Sequence, residues 1–517
     1  RTVGISVSDG DGATSEPKLV TINVTPEADG PQALFGNEVV NTYRPSTQDE
    51  AAGAALTDGG YVIVWSSEGQ DGSNAGIHGQ RYTAAGERVG AEFEINTHTL
   101  NVQQSPAVTG LNGGGYVVTW QSQIQDGSSW GVFAQRFSAN GTTVGDEFQV
   151  NTTTGQGQHQ PTIVATADGG FVVAWYYDYY NADFTELGDI YFQRYDANGV
   201  AQGGETRANP AGLGNIYQSE PSIAALTGGG FVVLWTDNST DGNSYGVFGQ
   251  RFAADGTTAG AAFMVNTYTD GAQYESDVVG LAGGDFVAVW RSDSQDGSSA
   301  GVFAQRFDAS GNKVGDEFRV NSEISGNEYE PSVTALANGG FAVAWNDDSR
   351  TYVQQFAADG ARVDGDTRVD TIDNNSNANQ PDVLGLNGGG FVVTWRDYNY
   401  GNSTYEIYQQ IFGNPATMTR QAAPVLTDMI DTVTFGENLL NATPQLIDAS
   451  VDLSDADSVS FDGGQLWVSV ISGYGDISYA QLPEDIRAQD QLGIRNEGSA
   501  AGQVSISGNT VSVGGLA

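Results

Sequence analysis

Residues 104–151 read QSPAVTGLNGGGYVVTWQSQIQDGSSWGVFAQRFSANGTTVGDEFQVN, and the chain writes this stretch seven times. Each copy has a block of the form GG[FY]-x-V-x-W, with Ile63 at the Val place in the first copy and GGDFVAVW in the fifth, ending at Trp65, Trp120, Trp175, Trp235, Trp290, Trp345 and Trp395. A fixed period of this size marks one supersecondary unit stacked on copies of itself. Within the copy quoted, 106–111 and 116–120 are short apolar strands joined by Asn112-Gly113-Gly114-Gly115. Gln125-Asp126-Gly127-Ser128 is a hairpin-type turn, because Asp-Gly supplies the positive φ values such turns need. A third strand follows at 131–137, then Asn140-Gly141 turns into a fourth at 144–151. Four antiparallel strands per unit, repeated about an axis, predict an all-β chain built as a seven-bladed β-propeller over residues 33–415.

The seventh copy stops after its third strand, 406–412, and continues as GNPATM. The missing fourth-strand ending, seen as GDEFQVNT at 145–152, occurs once more at the front as Gly36-Asn37-Glu38-Val39-Val40-Asn41-Thr42. Residues 35–42 are therefore expected to complete the last blade as its outermost strand, which removes a sheet edge. The alternative is an open solenoid of repeats.

Bulk composition narrows the partners. The 517 residues carry 63 acidic and 20 basic groups, a formal charge of -43, with only Lys18 and Lys313 as lysines. Nucleic acid and anionic membrane surfaces are poor partners for such a chain, since both require clustered Lys/Arg. Cysteine is absent, which leaves neither thiol chemistry nor disulfides, and no apolar run is long enough to span a bilayer. The balance suits cation binding and a secreted or cell-surface life in salt.

The flanks read differently. Residues 1–30 alternate Val3, Ile5, Val7 and then Val20, Ile22, Val24 around an Asp/Gly turn, as at the C-terminal end of a β-sandwich. Residues 423–517 read as the N-terminal part of a second sandwich. The residues at 433–438 (VTFGEN), 453–457 (LSDAD), 460–466 (SFDGGQL), 490–498 (DQLGIRNEG) and 502–508 (GQVSISG) carry a likeness. Together with the opening RTVGISVSDGDGATS, they resemble the calcium-dependent, cadherin-like modules of giant secreted bacterial proteins of the RTX adhesin type. The resemblance implies calcium as cofactor, further modules of the same long chain, and metal ligation by Glu437, Asp455 and Asp457. Asp462 and Asp490 are added ligands, and Asp9 with Asp11 forms a second D-x-D. Hard cations take six to eight oxygens, and carboxylates two apart in a turn converge on one centre. Ordinary Asp-Gly turn chemistry is the competing interpretation.

Catalytic motifs are scarce. His78, His98 and His159 lack the companions a zinc site needs, and neither a G-x-S-x-G elbow nor H-E-x-x-H occurs. The S-x-D-x-G-x-T-W boxes of propeller sialidases are absent as well. A Gln recurs in every third strand (Gln80, Gln135, Gln193, Gln250, Gln305, Gln354, Gln410), which fits a buried amide bridging strands better than a unique site. The Arg beside it in five copies reads as blade-to-blade packing.

Function is expected where copies differ. The third copy has Tyr176, Tyr177, Tyr179, Tyr180 and Phe184 after its Trp; the seventh has Tyr398, Tyr400 and Tyr405. Tyrosines among Asp and Asn suit sugar stacking or peptide anchoring. Before each first strand stands Glu50, Ser105, Gln160, Glu220, Glu275, Glu330 or Gln380, a column that should ring the channel mouth. Glu220, Glu275 and Glu330 would there attract a cation or a basic group. The leading expectation is a non-enzymatic adhesion module that binds glycan or a cell-surface protein. The alternatives are a propeller polysaccharide hydrolase, for which no carboxylate pair stands out, and a structural surface-layer or filament component.

Overall fold

The computed structural model describes residues 37–413, apart from 181–185, 211–215, 239–240, 298, 325, 372–376 and 402, together with seven short flanking strands. Contacts divide the chain into a unit of residues 29–417 and a unit formed by 1–28 with 418–517. In the latter, Thr2–Ser8 pairs antiparallel with Lys18–Thr21 and parallel with Thr432–Gly436, so a strand of each flank shares one sheet. The expected calcium ligands Asp9, Asp11, Glu437, Asp455, Asp457, Asp462 and Asp490 lie outside the described residues.

The larger unit is a β-propeller. Its blades are antiparallel sheets whose first strands are Gln48–Ala55, Gln103–Gly110, Gly157–Ala165, Gln218–Ala225, Gln273–Gly280, Glu328–Ala335 and Asn379–Gly385. Each sheet is open rather than rolled into a barrel. Blades 2 and 3 merge into one eight-stranded sheet through a single parallel pairing, Trp130 with Gly157. In blade 7 the fourth strand comes from the front of the chain. Glu38 pairs with Gln409 and Val39 with Tyr408, and the Val40 amide donates to the Ile407 carbonyl at 2.7 Å. Residues 35 and 36 lie outside the described residues.

The repeated residues explain themselves in packing. All seven tryptophans of the GG[FY]-x-V-x-W block are buried, and the cores form between adjacent blades. An Asn ends the fourth strand in six blades and accepts a third-strand amide, as Asn96 does from Ile77, Asn151 from Val132 and Asn266 from Val247; in blade 6 Asp370 accepts the Thr351 amide. Asn41 does the same for Ile407 at 2.9 Å. The Thr after that Asn donates to a Glu of the next blade, Thr97 to Glu147 and Thr267 to Glu317, and Thr42 likewise to Glu92. The front strand thus makes the contacts of the fourth strands of blades 1, 2 and 4. Blade 7 meets blade 1 through Asp382, which accepts the Gly53 amide, and through Asn387, which donates to the Leu56 carbonyl.

The third-strand Gln column bridges strands. Each amide nitrogen donates to the carbonyl of the following residue, and in blades 1 to 6 also to the fourth strand, as Gln135 does to Arg136 and Gly145. The adjacent Arg reaches the next blade: Arg81 donates to Ala139, Arg194 to Asp255 and Arg306 to Asp359. Gln355 and Ile411 take that place in the last two blades, and Ile411 packs close to Gly86.

First strands approach one another closely around the axis. A Cβ at Gly110, Gly280 or Gly385 would lie 2.1–2.2 Å from the carbonyl oxygen of Ala55, Ala225 or Ala335. Gly280→Ala therefore forces two blades apart and is expected to cost about 2 kcal/mol or more. A chemical-denaturation midpoint unchanged from wild type would count against this contact.

Candidate functional site

Every first strand slips register at one place, between Asp49 and Ala52 in blade 1 and between Tyr274 and Asp277 in blade 5. The residue at the slip has left-handed backbone, with φ of 47° to 53° for Glu50, Ser105, Gln160, Glu220, Glu275, Glu330 and Gln380. Seven non-glycine residues in that region, one on each first strand, re-aim seven side chains. These are the seven residues of the column read from the sequence.

Their carboxylates and amides form a relay from blade to blade. Glu220 accepts the Glu275 amide at 2.9 Å, Glu275 accepts the Glu330 amide at 2.9 Å, and Glu330 accepts the Gln380 amide at 2.8 Å. Gln380 accepts the Glu50 amide at 3.2 Å, and Glu50 accepts the Ser105 amide at 2.6 Å. Blade 3 differs: the Gln160 amide donates instead to Gln121 of blade 2, at 2.8 Å, and Gln160 is the exposed member of the ring.

Burial pushes the carboxyls of Glu50, Glu275 and Glu330 above the usual range. For Glu275 the neighbouring charges of Glu330 and Glu220 add to that effect, while Arg291 opposes it. Two positions further along, Asp277 is pushed up to about 7 by burial and by Asp382. Asp382 is raised by burial as well. Asp277 accepts the Val278 and Val333 amides and Asp382 accepts from Gly53 and Ser332. Both aspartates therefore serve as ties between first strands.

The residue after each Trp faces the ring. Thr236 donates to Glu220 at 2.8 Å, and Arg291 lies 3.4 Å from Glu275 and 3.3 Å from Asp293. The Arg291 guanidinium is 4.6 Å from the ring centroids of both Tyr274 and Tyr329. Arg396 pairs with Asp49 and lies 4.5 Å from the Tyr405 ring. In blade 3 the equivalent residue is Tyr176, stacked on His159 at 5.0 Å.

The tyrosine clusters differ from the loops read in the sequence. The third copy's segment is strand through Tyr180, because alternation continues in Phe171–Tyr180. Alternation then divides the cluster. Tyr176 faces His159, while Tyr177 and Tyr179 stack on each other at 5.6 Å with Tyr191 edge-on to Tyr177 at 6.0 Å. Tyr180 is exposed, and Phe184 lies outside the described residues. In blade 7, Tyr398 and Tyr405 are register partners 5.2 Å apart, and Tyr400 is exposed at the hairpin tip. Of the two clusters, Tyr176 and Tyr405 stand beside the ring. Arg291 with its two tyrosines was not singled out in the sequence, and His159 was read there as lacking companions, because their neighbours come from strands far apart in it.

His78 is packed in its third strand, with burial lowering its pKa. Among the described residues no group of three or more His, Cys, Asp or Glu is arranged to hold a metal, and no helix is long and apolar enough to cross a membrane.

No protein-family model matches the chain, and no curated protein matches its sequence. Similar solved structures include a Dyadobacter fermentans protein of unknown function (9% identity, TM-score 0.46), with 74% of this chain and 99% of that one covered. An α-L-arabinofuranosidase from Fusarium graminearum (14%, TM-score 0.43) covers 60% and 93%, and an α-L-arabinanase from Penicillium chrysogenum (12%, TM-score 0.42) covers 66% and 99%. At these identities the likeness concerns strand arrangement. It nonetheless corrects the leading expectation: the neighbours of described activity are glycoside hydrolases, the class of the alternative, so the adhesion-module reading is set aside.

Proposed function

We propose that the chain is a polysaccharide hydrolase acting at the mouth of the axial channel. The observation that carries this reading is the run Glu220, Glu275, Glu330 on three neighbouring blades, with the Glu275 carboxyl raised by burial and like charge beside Arg291. Glycoside hydrolysis needs two carboxyl groups, one protonated to give a proton to the leaving oxygen and one charged to activate water or attack the sugar. A carboxyl with a raised pKa suits the acid role. Glu275 is assigned as the acid. Glu220 is assigned as the second carboxylate, its Oε2 fixed by donation from the Thr236 hydroxyl and the Glu275 amide. Arg291, held between two tyrosine rings, positions Glu275. The names of the similar structures make arabinan a natural member of the first substrate panel.

Glu275→Gln keeps the relay bond to the Glu330 amide but removes the proton. It is expected to lower kcat by about 100-fold or more with little change in KM. Wild-type activity should fall as pH rises through the raised Glu275 pKa, because the acid is then deprotonated. Reducing-end release from a polysaccharide panel reads both effects. Equal turnover by the variant, or none by wild type on any polymer, overturns the assignment.

A further inference from the structure

Blade 3 departs from the ring in two ways at one place. Its ring residue Gln160 is exposed and its amide is diverted to Gln121. The position before it holds His159, stacked on Tyr176 at 5.0 Å and 24°, with Trp130 of blade 2 tilted against it at 5.9 Å. The backbone is held there by the parallel Trp130–Gly157 pairing, of a kind that also joins Ala75 to Val102, Gly188 to Tyr217 and Ala300 to Asn327 at other blade junctions. Asp178 anchors the group: its Oδ1 accepts the Gly157 amide at 2.6 Å and lies 3.5 Å from His159 Nε2. A Cβ at residue 157 would lie 2.1 Å from that nitrogen and 2.4 Å from that oxygen, so glycine is required for the approach.

We propose that Trp130, His159, Tyr176, Gln160 and Asp178 form a stacking subsite for a neutral sugar residue of the polysaccharide. This rests on the hydrolase reading and names the substrate class. A pyranose or furanose offers a C–H face to an aromatic wall and hydroxyls to an amide and a carboxylate; few polar groups beside apolar walls are the usual make-up of such sites. Charge decides against acidic sugars. The charged group in contact with the subsite is Asp178. The mouth arginines Arg291 and Arg396 stand on blades 5 and 7 and are paired with Glu275, Asp293 and Asp49. A uronate or sulfate arriving at blade 3 meets the Asp178 carboxylate, whereas a neutral unit meets no such repulsion.

The test is affinity electrophoresis of the full chain in gels containing arabinan or a neutral β-glucan, and in parallel polygalacturonate or alginate. Wild type and Glu275→Gln should be retarded by a neutral polymer and not by the acidic ones. Trp130→Ala should weaken retardation at least 10-fold, and Gln160→Arg, a change at an exposed position, should move binding toward polyuronate. Trp130→Ala and Gln160→Arg both behaving as wild type, or wild type preferring polyuronate or binding neither class, overturns the subsite. The two readings fail separately. Binding lost in Trp130→Ala with no hydrolysis by wild type leaves the subsite and removes the enzyme; hydrolysis abolished by Glu275→Gln with binding indifferent to Trp130 and Gln160 does the reverse.

Discussion

A chain carrying Val40→Asp together with Asn41→Ala is expected to lose on the order of 5 kcal/mol of stability and to open at blade 7. Val40 is fully buried in the cluster that includes Tyr61, Trp65, Leu384 and Ile407, so an aspartate there is a desolvated charge. Asn41 is 1% exposed and makes three bonds at once: it accepts the Ile407 amide and donates to Glu406 and to the Tyr43 carbonyl. Removing it strands a buried third-strand amide. A typical domain has about 5–15 kcal/mol in hand, so the pair takes a large share. Denaturant midpoints measure the loss, and hydrogen exchange at the Ile407 amide locates it. If that amide stays as protected as its counterparts at Ile77 and Val132, the front strand is not what holds blade 7.

The second large effect is a pH dependence centred on Glu328. Five other first strands place a Gln there (Gln48, Gln103, Gln158, Gln218, Gln273), each buried. Asn266 donates to Gln273 at 3.0 Å, and Asn321 donates to Glu328 at 3.1 Å. Glu328 is 1% exposed, and burial, then Asp296 and Asp347, push its carboxyl up to about 8. The folded state therefore binds a proton that the unfolded chain gives up near its ordinary value of 4.5. Stability from this group is complete below 4.5 and is lost as pH rises through about 8. Glu328→Gln keeps the Asn321 bond and removes the titration. At pH 9 it should stabilise the fold by on the order of 2 kcal/mol, with little gain at pH 4. Urea midpoints for both proteins from pH 4 to 9 decide it: parallel curves would show that Glu328 titrates freely.

Much of the fold was legible because its determinants repeat. Seven Trp blocks gave the blades, and the ending at 36–42 could be matched by eye to those at 145–152 and 315–322. The Gln column was legible as structure for the same reason. The site was legible only as a column. Glu220, Glu275 and Glu330 could be placed in one column, but not the left-handed backbone that makes each reach the next blade's amide. That geometry comes from a register slip with no glycine to announce it. The tyrosines after Trp175 looked like a loop because they are polar and dense, yet two-residue alternation carries the strand to Tyr180 and sends neighbours to opposite faces. His159 looked solitary because Asp178 and Trp130 are distant in sequence and meet it only where blades 2 and 3 merge.

The front strand has a mechanical consequence. Residues 38–40 run antiparallel to 407–409, so the chain enters and leaves the wheel at the same end of one strand pair. Tension carried along the chain through residues 37 and 413 does not shear those bonds together. It peels them in turn, first Glu38 from Gln409, then Val39 from Tyr408, then Val40 from Ile407. Resistance to force is set by the barrier to that opening rather than by total stability. Once the strand is gone, the residues between 37 and 413 can pay out as slack, roughly 1,200 Å at about 3.3 Å per residue. The wheel is thus built like a fastener whose pull tab is its own chain.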